Sequence, residues 1–257
     1  VGEHDEIQSQ RGDWSNGNPA FAAVDVLRLD HAFDYVQDVA LPRGGQGIFP
    51  SWLPAAERRA LRAHCAFSHC ATLVFPTGEA AAMDYFAERG WSTQALIPSV
   101  LVKRRLADRY GISESDCPVS VTRLSPAANP QCIVEVFLFP RAAVGPREYI
   151  CRNERTHNFE NHIGFQVKDP TSFRLNRLAD MLEGDGRMLF EGAAYNPHEG
   201  QHGTTMLYFA PDARAAHERR RFSRWELQCE GDLTGFTHTR PVREAELHRA
   251  YTALAGN

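Results

Sequence analysis

One ordered pattern occurs twice in this chain, and it constrains the fold more than any other feature. The segment His69–Phe75 (HCATLVF) has the β-branched and apolar content of a strand. Thr77 follows as a candidate N-cap. Gly78–Arg89 then places Ala82, Tyr85, Phe86 and Arg89 at helical spacing, and Gly90 stands where a helix ends. The same succession returns at His162–Val167 (HIGFQV). There Asp169 is the expected N-cap and Pro170 the first helical residue, followed by a face of Phe173, Leu175, Leu178, Met181 and Leu182, and Gly184 as the stop. Three strand-like segments follow each helix: Thr93–Val102, Val119–Leu124 and Ile133–Phe139 in the first half, then Arg187–Ala194, Thr204–Phe209 and Arg224–Cys229 in the second. Each half therefore reads β-α-β-β-β. The spacing agrees, since Glu135 lies 66 residues after His69 and Glu226 lies 64 after His162. The expected fold is α+β, with tandem βαβββ modules at 67–141 and 161–232. Outside them lie an N-terminal extension (1–66), a linker (142–160) and a tail (233–257) holding a helix at Val242–Leu254. In the extension, residues 1–20 read as loose, Pro42–Gly47 as a loop, Ala55–His64 as a short helix, and Val24–Val36 as either a strand or a helix.

Alternation along the strands gives the repeat a chemical content. In HIGFQV, His162, Gly164 and Gln166 share one face, and Ile163, Phe165 and Val167 share the other. In RWELQCE, Glu226, Gln228 and Glu230 lie opposite Trp225, Leu227 and Cys229. The apolar sets can pack on helices. The polar sets then face an interior, where a His and a carboxylate need partners, and a divalent metal satisfies both. Gly164 leaves room on that face. His64 competes with His69 for the first position, but the distance from His69 to Pro76 and the helix is close to that from His162 to Pro170.

Composition excludes several classes. The hydrophobic fraction is 43%, so the chain can bury a core, and no apolar run reaches the roughly 18 residues of a membrane span. With 28 basic and 32 acidic residues the net charge is −4, and Arg219–Arg221 is the best basic run, which argues against a nucleic-acid partner. The six cysteines form no CxxC pair, so free thiols and a cytoplasmic location are expected.

The segments FSHCATLVFPTGEAAAMDYFAERG, ENHIGFQVKDPTSFRLNRLADMLEG, IVEVFLFPR and RWELQCEG together resemble the vicinal oxygen chelate superfamily. That superfamily includes glyoxalase I, fosfomycin-resistance proteins, type I extradiol ring-cleaving dioxygenases and the 4-hydroxyphenylpyruvate dioxygenase group. The resemblance covers roughly residues 67–232. It implies two modules side by side, their sheets curled into an open cup with a metal inside. Carried over from the dioxygenases of the family, the metal ligands are His69, His162 and Glu226. A facial set of two imidazoles and one carboxylate suits non-haem Fe(II), with Mn, Ni or Zn as alternatives. Glyoxalase-type members add a fourth ligand at the position of Glu135. The leading expectation is an Fe(II)-dependent dioxygenase acting with O₂ on a catechol or 2-oxo acid that chelates through neighbouring oxygens, with Glu135 outside the ligand set. The alternatives are a metal-dependent isomerase, lyase or epimerase with Glu135 as fourth ligand or base, and a non-catalytic small-molecule-binding protein. A homodimer is compatible with each.

Further candidates surround this set. His198 and His202, in NPHEGQHG, are acid/base candidates because imidazole titrates near neutrality, and His162–His202–Glu226 is a rival triad local to one module. His238 and Arg240, after the last strand, are candidates for meeting an anionic substrate. Phe137 and Phe139 share the face of Glu135 and, with Tyr208, are candidate pocket walls.

Overall fold

The computed structural model describes residues 20–41, 48–49, 53–145, 147–184, 187–212, 222, 224–235 and 240–255. The loop reading of Pro42–Gly47, the loose reading of residues 1–19, the run Arg219–Arg221 and the candidate His238 lie outside them. Among the described residues the chain forms eight α-helices and nine strands, a mixed α+β architecture built on one large mixed sheet. No helix of the described residues is long and apolar enough to cross a membrane.

In chain order the elements are α1 (Ala23–Tyr35, extended by a wider π-type turn at Val36–Ala40), α2 (Ala55–His64), β1 (Cys65–Val74), α3 (Glu79–Glu88), β2 (Trp91–Thr93), β3 (Ile97–Pro98), α4 (Val100–Tyr110), β4 (Ser120–Pro126), β5 (Val134–Leu138), α5 (Arg141–Val144), α6 (Glu148–His157), β6 (His162–Val167), α7 (Ser172–Glu183), β7 (Met188–Asn196), β8 (Thr204–Pro211), β9 (Arg224–Glu230) and α8 (Glu244–Ala255). The sheet order is β2-β4-β5-β1-β6-β9-β8-β7, with β3 also paired to β4. At its centre β1 and β6 run antiparallel. On either side of that pair, β1 is parallel to β5 and β6 is parallel to β9. Read outward from the centre, the orders are β1, β5, β4, β2 and β6, β9, β8, β7, the same progression in each direction.

Alternation decides which side of the sheet each residue serves. Ile163, Phe165 and Val167 of β6 and Trp225, Leu227 and Cys229 of β9 enter a large apolar core with Leu175, Leu178 and Leu182 of α7, Phe86 of α3 and Leu29 and Phe33 of α1. On the opposite side of the first half, Ala71, Leu73, Phe137 and Phe139 pack with Val102 and Leu106 of α4 and Ile150 of α6. That sheet region is thus covered on both sides, and His69, Glu135, His162, Glu226 and Gln228 on the second side are buried with it, whereas Gln166 and Glu230, expected on the same interior face, lie at strand ends and are exposed.

Several local expectations are corrected. Thr93–Val102 is not one strand: only Trp91–Thr93 and Ile97–Pro98 pair, and α4 begins at Val100. Val102 and Leu106 are one helical turn apart and both buried, and Gly111 ends the helix in the left-handed region at φ 61°. The helical period of LVKRRLADRY prevails over the β-branched valines at its start. The cap of α7 is Thr171, whose hydroxyl accepts from the Arg174 amide, not Asp169. Val24–Val36 is helical, and the linker holds α5 and α6.

Candidate metal centre

The sheet register brings four chain-distant residues to one point. In one row across the sheet, Arg123 of β4, Glu135 of β5, Ala71 of β1, His162 of β6 and Arg224 of β9 are successive partners. In the neighbouring row the partners are His69 of β1, Gly164 of β6, Glu226 of β9 and Tyr208 of β8. Each row sets a histidine and a glutamate two strands apart, about 10 Å at backbone level, with a small residue between them. Over that residue the two long side chains can lean together. Gly164 is committed to this purpose: a Cβ there would lie 2.2 Å from Cε1 of His69. The space that glycine leaves is filled by the His69 ring, not by a ligand.

The four side chains are buried, and one ligand atom from each lies within 4.8 Å of the others. His69 Nε2 is 3.4 Å from His162 Nε2, 3.6 Å from Glu135 Oε2 and 3.9 Å from Glu226 Oε1. His162 Nε2 is 3.3 Å from Glu226 Oε2 and 4.0 Å from Glu135 Oε2. Atoms bonded to one ion at about 2.0–2.3 Å lie at such separations from one another.

Hydrogen bonding on the outer side of each ring sets what the inner side offers. His162 Nδ1 is 2.9 Å from the carbonyl oxygen of Glu160, which can only accept, so Nδ1 carries the proton and Nε2 presents a lone pair. His69 Nδ1 is 3.1 Å from Ser68 Oγ, which itself accepts from Gln228 Nε2 at 2.5 Å. In its neutral form His162 therefore turns the Nε2 lone pair toward His69 and Glu226. Glu226 Oε2 is buried with no hydrogen-bond donor. A buried carboxylate oxygen with no donor, 3.3 Å from that imidazole nitrogen, calls for a positive charge between them, a proton or a metal ion. The donors are two nitrogens and carboxylate oxygens, a set that suits first-row divalent ions.

The charge states agree. Burial holds the His69 pKa well below the ordinary histidine value. Burial also opposes charge on His162, but the close contact with Glu226 and its charge, with that of Glu135, outweigh it, and its pKa is raised. Burial pushes Glu226 upward, yet the contact with His162 and its charge leave it lowered.

Behind His162 lies a buried ionic network. Arg224 donates to Glu160, to Glu191 and to the Phe159 carbonyl. Arg109 bridges Glu154 and Glu160, and Tyr251 of α8 donates to Glu191. This network fixes the chain leading into β6, including the Glu160 carbonyl that orients His162.

A narrow cleft of about 60 Å³ reaches the centre. Glu135 is the member of the group on its wall, beside Arg123, Phe137, Tyr195, Glu199 and Tyr208. Phe137 and Tyr208 also lie against the His162 ring, with centroids 6.0 and 5.8 Å away. Other candidates stand elsewhere. Phe139 is buried against Phe75 in the second core. His198 and His202 are exposed in the β7–β8 hairpin, and His202 lies 3.9 Å from exposed Glu230. Arg240 is engaged by Asp180 and Glu183 of α7. His64 ends α2 and is not part of the group.

Sequence reasoning missed Arg123 and Glu199. Arg123 Nε donates to Glu135 Oε1 at 3.0 Å, while Nη2 donates to Glu199 Oε1 at 2.7 Å and to Gln228 Oε1 at 3.0 Å. Burial, then the neighbouring Glu135 charge, push the Glu199 carboxyl up to about 7. The available signal was alternation in SVTRLSP, which puts Arg123 on the face of Val121, in register with Glu135.

No protein-family model matches the chain, and no curated protein sequence matches it. Among solved structures, the crystal structure of UcmS2 is similar over 62% of this chain and 94% of that one, at 15% identity and a TM-score of 0.19. A likeness that weak carries no argument about fold or function.

Proposed function

We propose that this protein is a divalent-metal enzyme of the lyase, isomerase or epimerase class, acting on a small substrate that chelates the metal through two vicinal oxygens. The observation that carries the reading is the convergence of four donors, His69, His162, Glu226 and Glu135, rather than three. Four protein ligands leave two positions of an octahedron, enough for a bidentate substrate but not for O₂ as well. The resemblance to the vicinal oxygen chelate superfamily supplies the reaction class. The outward progression of strands from β1 and from β6 supports the tandem βαβββ modules that it implies.

A bound divalent ion polarises the chelated oxygens and eases loss of a neighbouring proton. The protein's own groups do the rest. His69, His162 and Glu226 are fully enclosed and hold their positions. Glu135, on the cleft wall with Oε1 held by Arg123, is the one ligand of the four that a bound molecule reaches. Phe137 and Tyr208 exclude water from that side. Fe(II), Mn, Ni and Zn all suit the donor set.

A dioxygenase is the second reading, favoured by one observation: the Arg123 guanidinium competes for the charge of Glu135, and a Glu135 withheld from the ion leaves three ligands and room for O₂. Metal content of Glu135→Gln and Glu226→Gln separates the two. Loss of metal in both variants supports the four-ligand enzyme. Loss in Glu226→Gln alone, with oxygen uptake on catechols or 2-oxo acids, would replace it by the dioxygenase.

A further inference from the structure

The two glutamates of the centre occupy matching places in the sheet but have different cross-strand partners. Glu226 stands opposite Tyr208, a neutral phenol. Glu135 stands opposite Arg123. A guanidinium offers donors in a fixed fork, and here three acceptors meet it: Glu135 Oε1, Glu199 Oε1 and Gln228 Oε1. The amide of Gln228 then continues to Ser68 Oγ, and Ser68 to His69 Nδ1. One side chain on β4 is therefore tied directly to one ligand of the first half and, through Gln228 and Ser68, to the other. It also ties both to β9 and to the β7–β8 hairpin of the second half.

We propose that Arg123 is the positioning residue for the first-half ligands, holding Glu135 through Oε1 so that Oε2 faces the ion, and holding His69 through Gln228 and Ser68. The proposal rests on the four-ligand reading above. Outer partners of metal ligands commonly account for about 10–100-fold in metal affinity, and Arg123 reaches two ligands at once. Its partners are specific in geometry, so a residue of similar length without the fork cannot replace it. Glu226 needs no such partner, because His162 and complete burial already confine it.

Co(II) binding tests this, read by competition with a chromophoric chelator and by the visible absorption of the bound ion. Wild type, Arg123→Met, Arg123→Lys, Glu135→Gln, Glu226→Gln and the double variant Arg123→Met/Glu135→Gln are compared, after thermal melting confirms that each metal-free protein is folded. Arg123→Met is expected to bind Co(II) about 10–100-fold more weakly, with a spectrum shifted toward that of Glu135→Gln and unlike that of Glu226→Gln. Arg123→Lys keeps the charge, and its spectrum is expected to lie between wild type and Arg123→Met. The double variant should bind more weakly than either single variant but by less than the product of the two losses, because the Glu135 part of the effect is shared and the His69 part is not. An Arg123→Met spectrum matching wild type, an affinity that rises, or losses that multiply in the double variant would overturn the proposal. If Arg123→Met does not fold, the same comparison with Arg123→Lys decides. Wild type failing to bind Co(II), or binding it with Glu226→Gln unaffected, would instead remove the four-ligand reading itself and this proposal with it.

Discussion

At the scale of single residues, the centre depends on what is absent as much as on what is present. Gly164 has no Cβ, and the His69 ring occupies that space. Gly164→Ala must move either the ring or β6, at a cost of about 1–3 kcal/mol. We predict that this variant folds but loses tight metal binding, as measured by equilibrium dialysis; unchanged binding would show that His69 is not held where the register places it. Protonation gives a second prediction. In the metal-free protein the His162 pKa is raised by Glu226 and Glu135 against the effect of burial. A raised histidine pKa stabilises the metal-free fold below the ordinary value and loses that contribution as pH rises through the raised one. Metal requires the neutral ring, so the proton is a competitor. Affinity should fall on acidification starting above pH 6.5, the ordinary value, by about tenfold per pH unit for the one displaced proton. Titrations with Mn(II) at several pH values measure this, and an affinity flat across that range contradicts it.

At the scale of elements, the caps and strands can be tested one by one. Thr171 closes the first turn of α7 by accepting from the Arg174 amide at 3.1 Å. Thr171→Ala should cost about 0.5–2 kcal/mol in denaturant unfolding, whereas Asp169→Asn, which keeps a residue that tolerates the left-handed backbone at φ 44°, should cost less than Thr171→Ala. Much of the architecture was legible at this scale. Alternation in HIGFQV and RWELQCE identified the core and site faces of β6 and β9, and the repeat placed His69, His162, Glu135 and Glu226 at matching positions. Where legibility ended, the reasons are physical. A helix starting on two valines looks like a strand until its one-turn spacing of Val102 and Leu106 is weighed, so α4 was missed. Alternation marks only the face that Arg123 lies on, because its partners Glu199 and Gln228 are 76 and 105 residues away. His198 and His202 attract attention by residue type, but the β7–β8 hairpin leaves them at its exposed end.

At the scale of the whole molecule, the buried ionic network joins α4, α6 and α8 to β7, β9 and the chain entering β6. Arg224, 2% exposed, is shared by Glu160 and Glu191. Arg224→Met would leave those carboxylates with less compensation in the interior, which costs about 3–5 kcal/mol when a buried pair is broken. Unfolding of the metal-free variant in urea measures that loss, and a change under about 1 kcal/mol would mean that Arg105 and Arg109 suffice alone. The network holds up one side of the centre and Arg123 the other, so the fold as a whole is organised around a point where four donors meet. Elemental analysis of the protein after loading with a divalent ion and exhaustive dialysis tests this claim most directly, with His162→Ala in parallel. The account predicts one tightly held ion per chain in wild type and none in the variant. A wild-type protein that retains no ion, or a His162→Ala variant that retains as much as wild type, would contradict it.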